Sequence, residues 1–65
     1  MQLLINGEPR KVAAGTLAEL VAELGLTGRR IAIEHNGEIA PRSAHATTPV
    51  QAGDRIEIVH AIGGG

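Results

Sequence analysis

Three consecutive glycines, Gly63, Gly64 and Gly65, follow directly after the apolar run IEIVHAI near the C-terminus. Glycine has no Cβ, so such a segment can extend through a narrow channel and adopt torsion angles that other residues avoid. A reagent bound in another protein could then approach the carbonyl carbon of Gly65 without meeting a side chain. The pattern indicates that the terminal carboxylate is itself the reactive group. The alternative is a loosely ordered chain end.

Histidines and carboxylates are the other side chains that could do chemistry. His35, His45 and His60 lie in three separate segments without metal-ligand spacing, and the chain has no cysteine that could complete a site. Glu34 and Glu38 flank an Asn-Gly turn, so we expect solvated charges there and not an acid/base pair. The sequence predicts no metal site and no catalytic residues. It indicates a substrate of other enzymes and not an enzyme.

Size and composition limit the possible classes of protein. The 65 residues predict a single domain over 1–65, of which folding buries only about 60% of the surface. With no aromatic residue and a formal net charge of −1, the chain has no stacking platform or basic patch for nucleic acid. It shows neither a secretory signal nor an apolar run long enough to span a membrane. We therefore expect a soluble, cytoplasmic protein.

Two Asn-Gly dipeptides predict two β-hairpins. Asn6-Gly7 separates MQLLI from EPRK, and Asn36-Gly37 separates RRIAIEH from EIA. Asparagine and glycine adopt the positive φ angles that a two-residue hairpin turn requires. The first hairpin is therefore predicted over residues 1–12.

The stretch AAGTLAELVAELGL predicts the one helix. Thr16 and Glu19 have the spacing of a capping box, in which each side chain accepts a backbone N–H of the first turn. Gly25 is placed to end the helix in a left-handed conformation. The apolar stripe that should face the core consists of Leu17, Leu20, Val21 and Leu24.

The segment RIEIV predicts the last strand, with Ile56 and Ile58 on one face and Glu57 and Val59 on the other. The order of the elements is two strands, a helix, a strand, a short strand and a final strand. Because the first and last strands are the most apolar, we expect them side by side and parallel in the middle of the sheet. The predicted fold is α+β: a β-grasp, with a mixed sheet of four to five strands packed on one helix.

This β-grasp with a glycine tail resembles the ubiquitin-like sulfur carriers of bacterial cofactor biosynthesis, and the ThiS family in particular. The likeness covers the whole chain and rests on INGEP, TLAELVAELGL, IAIEHNGEIAPRS and AGDRIEIVHAIGGG. One position departs from the family, because His45 stands where an aromatic residue is common.

The resemblance implies a set of partners. An E1-like adenylyltransferase (ThiF-type) uses ATP to adenylate the carboxylate of Gly65. A sulfur donor such as a cysteine desulfurase then supplies the sulfur of a C-terminal thiocarboxylate, and thiazole synthase (ThiG-type) takes that sulfur for thiamine. A flexible tail over 61–65, with Gly63 and Gly64, would thread into each partner. The chain itself would bind no cofactor, nucleic acid or membrane.

Apolar residues on the predicted outer face of the sheet suggest where a partner docks. Leu4, Ala32, Val59 and Ala61 should point away from the helix, and Ile62 lies past the end of the last strand. These five residues form the predicted partner interface. Isolated apolar residues are also ordinary on protein surfaces, which is the competing interpretation.

Three other functions are compatible with the same sequence. One is a small sulfur-carrying subunit of molybdopterin synthase, although those chains are usually longer and richer in aromatic residues. Another is a ubiquitin-like modifier joined to lysines through Gly65. The last is an interaction module whose glycine tail has no role.

Overall fold

Seven elements follow one another in the computed structural model, which describes residues 1–61. They are the strands β1 (Gln2–Ile5) and β2 (Glu8–Lys11), the helix α1 (Leu17–Glu23), the strands β3 (Ile31–His35) and β4 (Glu38–Ala40), a 3-10 helix (Arg42–Ala44) and the strand β5 (Arg55–His60). Within the described residues the strands form one sheet in the order β2-β1-β5-β3-β4. β5 runs parallel to β1 and antiparallel to β3. The predicted α+β β-grasp is confirmed.

Both hairpins turn on the predicted Asn-Gly pairs. Asn6 and Gly7 have φ angles of 51° and 82°, and Asn36 and Gly37 have 52° and 89°. Two consecutive positive φ angles match the right-handed twist of the flanking strands and so keep the strands paired. Ile5 therefore pairs directly with Glu8 across the first turn.

The core is aliphatic and lies between the sheet and α1. Burying each such side chain contributes roughly 1.5–3 kcal/mol to the free energy of folding. The sheet supplies one alternating face, the helix supplies two leucines, and the connecting segments supply the rest. The buried residues are Leu3, Ile5, Val12, Ala14, Leu17, Leu20, Ile33, Val50, Ile56 and Ile58.

The ends of α1 follow the predicted capping residues, with one difference. The Thr16 hydroxyl accepts the N–H of Glu19 at 3.2 Å, but the Glu19 carboxylate accepts the N–H of Gly15, one residue before the cap, at 2.7 Å. Gly25 has a φ of 74°, and the N–H of Leu26 donates to the carbonyl of Val21 at 2.9 Å. This pattern is the Schellman ending of a helix.

Glu23 holds the connection between β2 and α1, a role that its position on the polar side of the helix does not suggest. Its carboxylate accepts the backbone N–H of Ala13 at 3.0 Å and that of Ala14 at 2.9 Å. Because Ala14 is buried, the two bonds fix the point at which the chain enters the core.

Asp54 joins the second hairpin turn to the beginning of β5. Its carboxylate lies 2.7 Å from Nε2 of His35 and accepts the N–H of Gln51 at 2.9 Å and the side-chain amide of Asn36 at 3.1 Å. Desolvation raises the pKa of Asp54, but the hydrogen bonds from His35, Gln51 and Asn36 and the charge of His35 outweigh it. The pKa of Asp54 therefore lies below its ordinary value of 3.8.

Replacing Asp54→Asn should lower the free energy of unfolding by about 1–3 kcal/mol near neutral pH, since charge-assisted hydrogen bonds are lost. Because the folded state lowers the pKa of Asp54, its ionised form stabilises the fold fully above the ordinary value of 3.8. That contribution disappears as the pH falls through the lower, folded-state pKa. Urea unfolding near pH 7 and near pH 3 should show the difference between wild type and variant shrinking at the lower pH.

Glu38→Gln is the matched control, because Glu38 is an exposed carboxylate at the same hairpin. It should leave the free energy of unfolding nearly unchanged at both pH values. An equal loss in the two variants would show that the Asp54 contacts do not stabilise the fold.

Candidate partner-binding face

The face of the sheet that points away from α1 contains apolar residues that the fold leaves exposed. Along β5, Ile56 and Ile58 are buried, whereas Val59 on the opposite face is 58% exposed. Val59 pairs across the strands with Ala32 of β3, which is half-buried. Strand pairing continues to the last described residue, where the N–H of Ala61 donates to the carbonyl of Arg30 at 2.9 Å.

Ile39 completes this surface and is absent from the sequence-based set. It is 67% exposed and pairs with Glu34, so it lies on the same outer face as Ala32. Ile39, Ala32 and Val59 line a shallow depression of about 50 Å³. We call these three residues the outer-face cluster. The Asn36-Gly37 turn sets the pairing of Glu34 with Ile39, so the sequence contained the signal that places Ile39 here.

Leu4 lies on the same face but apart from the cluster. It is 36% exposed and pairs with Arg55, four residues before Val59 on β5. At about 3.3 Å per residue, this places the two positions roughly 13 Å apart along the sheet. The structure therefore brings Ala32, Val59 and Ala61 together and separates Leu4 from them.

Two carboxylates border the outer-face cluster. Glu34 and Glu57 pair directly across β3 and β5, both are exposed, and both line the depression. Like charges directly opposite one another on a sheet repel each other. Arg55 lies on the same face and lines a neighbouring depression with both carboxylates, so it offsets part of that repulsion. A basic group at the rim of a partner would offset more of it.

Asn6 allows β5 to continue past the end of β1. Its backbone N–H donates to the carbonyl of Ile56 at 2.9 Å, and its side-chain oxygen accepts the N–H of Ile58 at 2.8 Å. The side chain thus occupies the place that the next residue of a longer β1 would take. β5 continues to His60 and carries the chain beyond the end of its parallel neighbour.

The predicted reactive and threading residues, Gly63, Gly64 and Gly65, and the predicted anchor Ile62 lie outside the described residues. The structure describes the strand β5, which leads to these residues. Ala61 is exposed at the end of that strand, next to the outer-face cluster.

The histidines are distributed among separate contacts. His35 contacts Asp54, Nε2 of His45 donates to the carbonyl of Ala40 at 3.0 Å, and His60 is exposed on β5. Over residues 1–61, no three histidine, aspartate or glutamate side chains come together as metal ligands. The helix in that part of the chain is too short to cross a lipid bilayer.

A five-stranded sheet on one helix, with the last strand parallel to the first, defines a ubiquitin-like β-grasp protein. The sequence model of the ThiS family matches residues 3–65, and this chain belongs to that family.

Comparison with individual proteins agrees with this assignment. The sulfur carrier protein ThiS of Thermus thermophilus is 33% identical over 94% of this chain and 95% of its own length. The crystal structure of the thiamine biosynthesis protein ThiS from Geobacter metallireducens superimposes with a TM-score of 0.87. The two chains are 33% identical, and each is covered over 100% of its length.

The chain is also similar to part of a longer protein. A thiazole synthase of Paramagnetospirillum magneticum is 48% identical to it over 100% of this chain, and this chain spans only 20% of the length of that protein.

If a partner docks on the outer-face cluster, Val59→Asp should weaken its binding about tenfold or more, because the variant puts a charge among these apolar residues. A ThiF-type adenylyltransferase is the partner with which to test this. Leu4→Asp is the matched control on the same face and should have a smaller effect, because Leu4 lies apart from the cluster. Isothermal titration calorimetry gives the affinities, and thermal unfolding checks that each variant folds. Unchanged affinity in Val59→Asp would show that partners dock elsewhere.

Proposed function

We propose that this chain is a sulfur carrier of thiamine biosynthesis and that the carboxylate of Gly65 is converted to a thiocarboxylate. The observation that carries the proposal is the match to the ThiS family over residues 3–65, which includes all three glycines. The same match favours the thiamine pathway over molybdopterin synthesis. The proposal requires Gly65 to carry the free terminal carboxylate.

Activation is the first step, because a carboxylate does not exchange its oxygen unaided. A carboxylate oxygen of Gly65 attacks the α-phosphorus of ATP in the active site of an E1-like adenylyltransferase. Pyrophosphate leaves, and the product is an acyl-adenylate. AMP is a good leaving group, so the carbonyl carbon of Gly65 becomes open to nucleophiles.

Sulfur transfer is the second step. The terminal sulfur of a persulfide, formed by a cysteine desulfurase, attacks the carbonyl carbon and expels AMP. The new bond joins that sulfur to the carbonyl carbon. A second thiol then attacks the cysteine sulfur of the persulfide, which breaks the persulfide's sulfur–sulfur bond and forms a disulfide with that cysteine. The thiocarboxylate on Gly65 is released with the transferred sulfur. That sulfur is the nucleophile that thiazole synthase uses.

The binding free energy of docking has to offset the entropic cost of ordering the tail. Fixing the backbone of each residue costs about 1–2 kcal/mol, and glycine loses the most conformational freedom. The outer-face cluster lies beside the last described residue, Ala61, so contacts made there would favour entry of the tail into the partner's active site.

The chain acts in this scheme as a cosubstrate with no turnover of its own. The two steps use ATP, a persulfide and the partners' residues, and on the chain itself only the carboxyl group of Gly65 reacts. The described residues contribute recognition and a rigid strand that leads to the tail.

Thiazole synthase is the proposed acceptor. In the Paramagnetospirillum magneticum thiazole synthase, a segment 48% identical to this chain is part of the same polypeptide. A domain of this kind within that protein supports a functional association between the two. A carrier in trans would have to find the same partner by docking.

Intact-protein mass spectrometry tests the proposal. The chain is incubated with a ThiF-type adenylyltransferase, ATP, cysteine and a cysteine desulfurase. We expect a mass gain equal to one oxygen replaced by one sulfur, localised to Gly65 by fragmentation. Deletion of Gly65 should abolish the gain, because the remaining chain is too short to reach the adenylate site.

The deletion variant should retain the NMR spectrum of residues 1–61, which separates loss of loading from loss of fold. Loading that survives the deletion would contradict the role of Gly65. An unmodified wild-type chain, beside a second ThiS protein that is loaded in the same mixture, would contradict the carrier function.

A further inference from the structure

An open groove of about 310 Å³ lies on the helix side of the domain, beside α1. Its floor is formed by Val21, Leu26 and Ile31, which are half-buried and pack against the edge of the core. Small residues, Ala18 and Ala46, leave room above this floor. The groove therefore exposes apolar surface that the domain itself does not cover.

Hydrogen bonds between neighbouring segments hold the walls of the groove in place. The N–H of Ala18 donates to the carbonyl of His45 at 3.0 Å, which attaches the first turn of α1 to the segment after the 3-10 helix. The Arg42 guanidinium donates to the carbonyl of Arg29 at 3.2 Å, and His45 donates to the carbonyl of Ala40 at 3.0 Å. The groove is preformed, so a ligand need not order it.

The rim of the groove is positively charged, although the chain has a formal net charge of −1. Arg29 and Arg42 line it, and no aspartate or glutamate is among the lining residues. In the described part of the chain, neither guanidinium has a carboxylate within 4 Å. Guanidinium groups bind carboxylates through two parallel hydrogen bonds.

The groove is separate from the outer-face cluster. Ile31 faces α1 and contributes to the groove floor, whereas its neighbour Ala32 faces the opposite side of the sheet beside Val59. A ligand in the groove would leave the outer face free, so binding there can occur while the tail is engaged elsewhere.

We propose that this groove is a docking site for an acidic segment of a partner protein. A large apolar side chain of the partner fills the floor over Val21, Leu26 and Ile31, and flanking carboxylates bind Arg29 and Arg42. Small-molecule pockets enclose most of their ligand's surface and commonly exceed about 300 Å³. A groove at the bottom of that range, open along one side, suits a single anchoring side chain with charged contacts at its rim.

An NMR titration of the ¹⁵N-labelled chain tests this proposal. The probe is the blocked peptide Asp-Glu-Trp-Leu-Asp-Glu. We expect saturable shifts at the amides of Val21, Leu26 and Ile31 and none at Val59. Arg42→Glu should weaken binding about fivefold or more through charge reversal.

Ala46→Leu is the second variant, because it fills the groove and leaves both arginines in place. It should also reduce the affinity, and Ala46 is exposed, so the fold should tolerate the larger side chain. Unshifted signals from the outer face confirm that each variant is folded. If Arg42→Glu fails this check, Ala46→Leu alone decides.

Control ligands determine which chemistry the groove recognises. The peptide Lys-Lys-Trp-Leu-Lys-Lys should bind much more weakly than the acidic probe, and equal binding would overturn the proposed role of the arginines. The absence of saturable shifts, or shifts confined to the outer face, would overturn the docking site. If indole-3-acetate shifts the groove amides and the peptide does not, the groove is a small-molecule site and the proposal is wrong.

Discussion

The pairing of β5 with both β1 and β3 is the constraint on which the rest of this domain depends. Its inward residues, Ile56 and Ile58, meet the helix, and its outward residue Val59 anchors the exposed cluster. A slip of one residue would exchange its two faces and disrupt both the core and the outer-face cluster.

Much of the fold can be predicted from the sequence because local chemistry determines it. The Asn-Gly turns set the pairing of each hairpin, and the Thr16 cap and Gly25 bound the helix. Other features depend on distant parts of the chain. The distance between Leu4 and Val59 along the sheet follows from the parallel pairing of β1 with β5, and no hairpin turn sets the register of that pairing. Side-chain alternation therefore predicts that the two residues share a face but does not predict how far apart they lie. Asp54 and Glu23 form hydrogen bonds to other segments of the chain, and no periodic pattern in the sequence predicts such bonds.

In the proposed function, two parts of the chain have different roles. The domain supplies a rigid surface, and the glycine segment supplies a terminal group without steric bulk. In the proposal neither part needs a catalytic residue, because ATP is a reactant from solution and the sulfur and the active sites belong to the partner proteins. In this proposal the reactive group is the terminal carboxyl group of the backbone, so the glycines are the sequence signal that accompanies it.

The pairing of β5 on both sides has a mechanical consequence. Under the proposed function, a partner that binds the tail would apply force to the C-terminal end of β5. The hydrogen bonds to β1 and β3 run across the axis of β5. A force along that axis would therefore load several of these bonds together in shear and would not break them one at a time. The pairing of β5 on both sides thus makes the last strand resistant to tension applied at its C-terminal end.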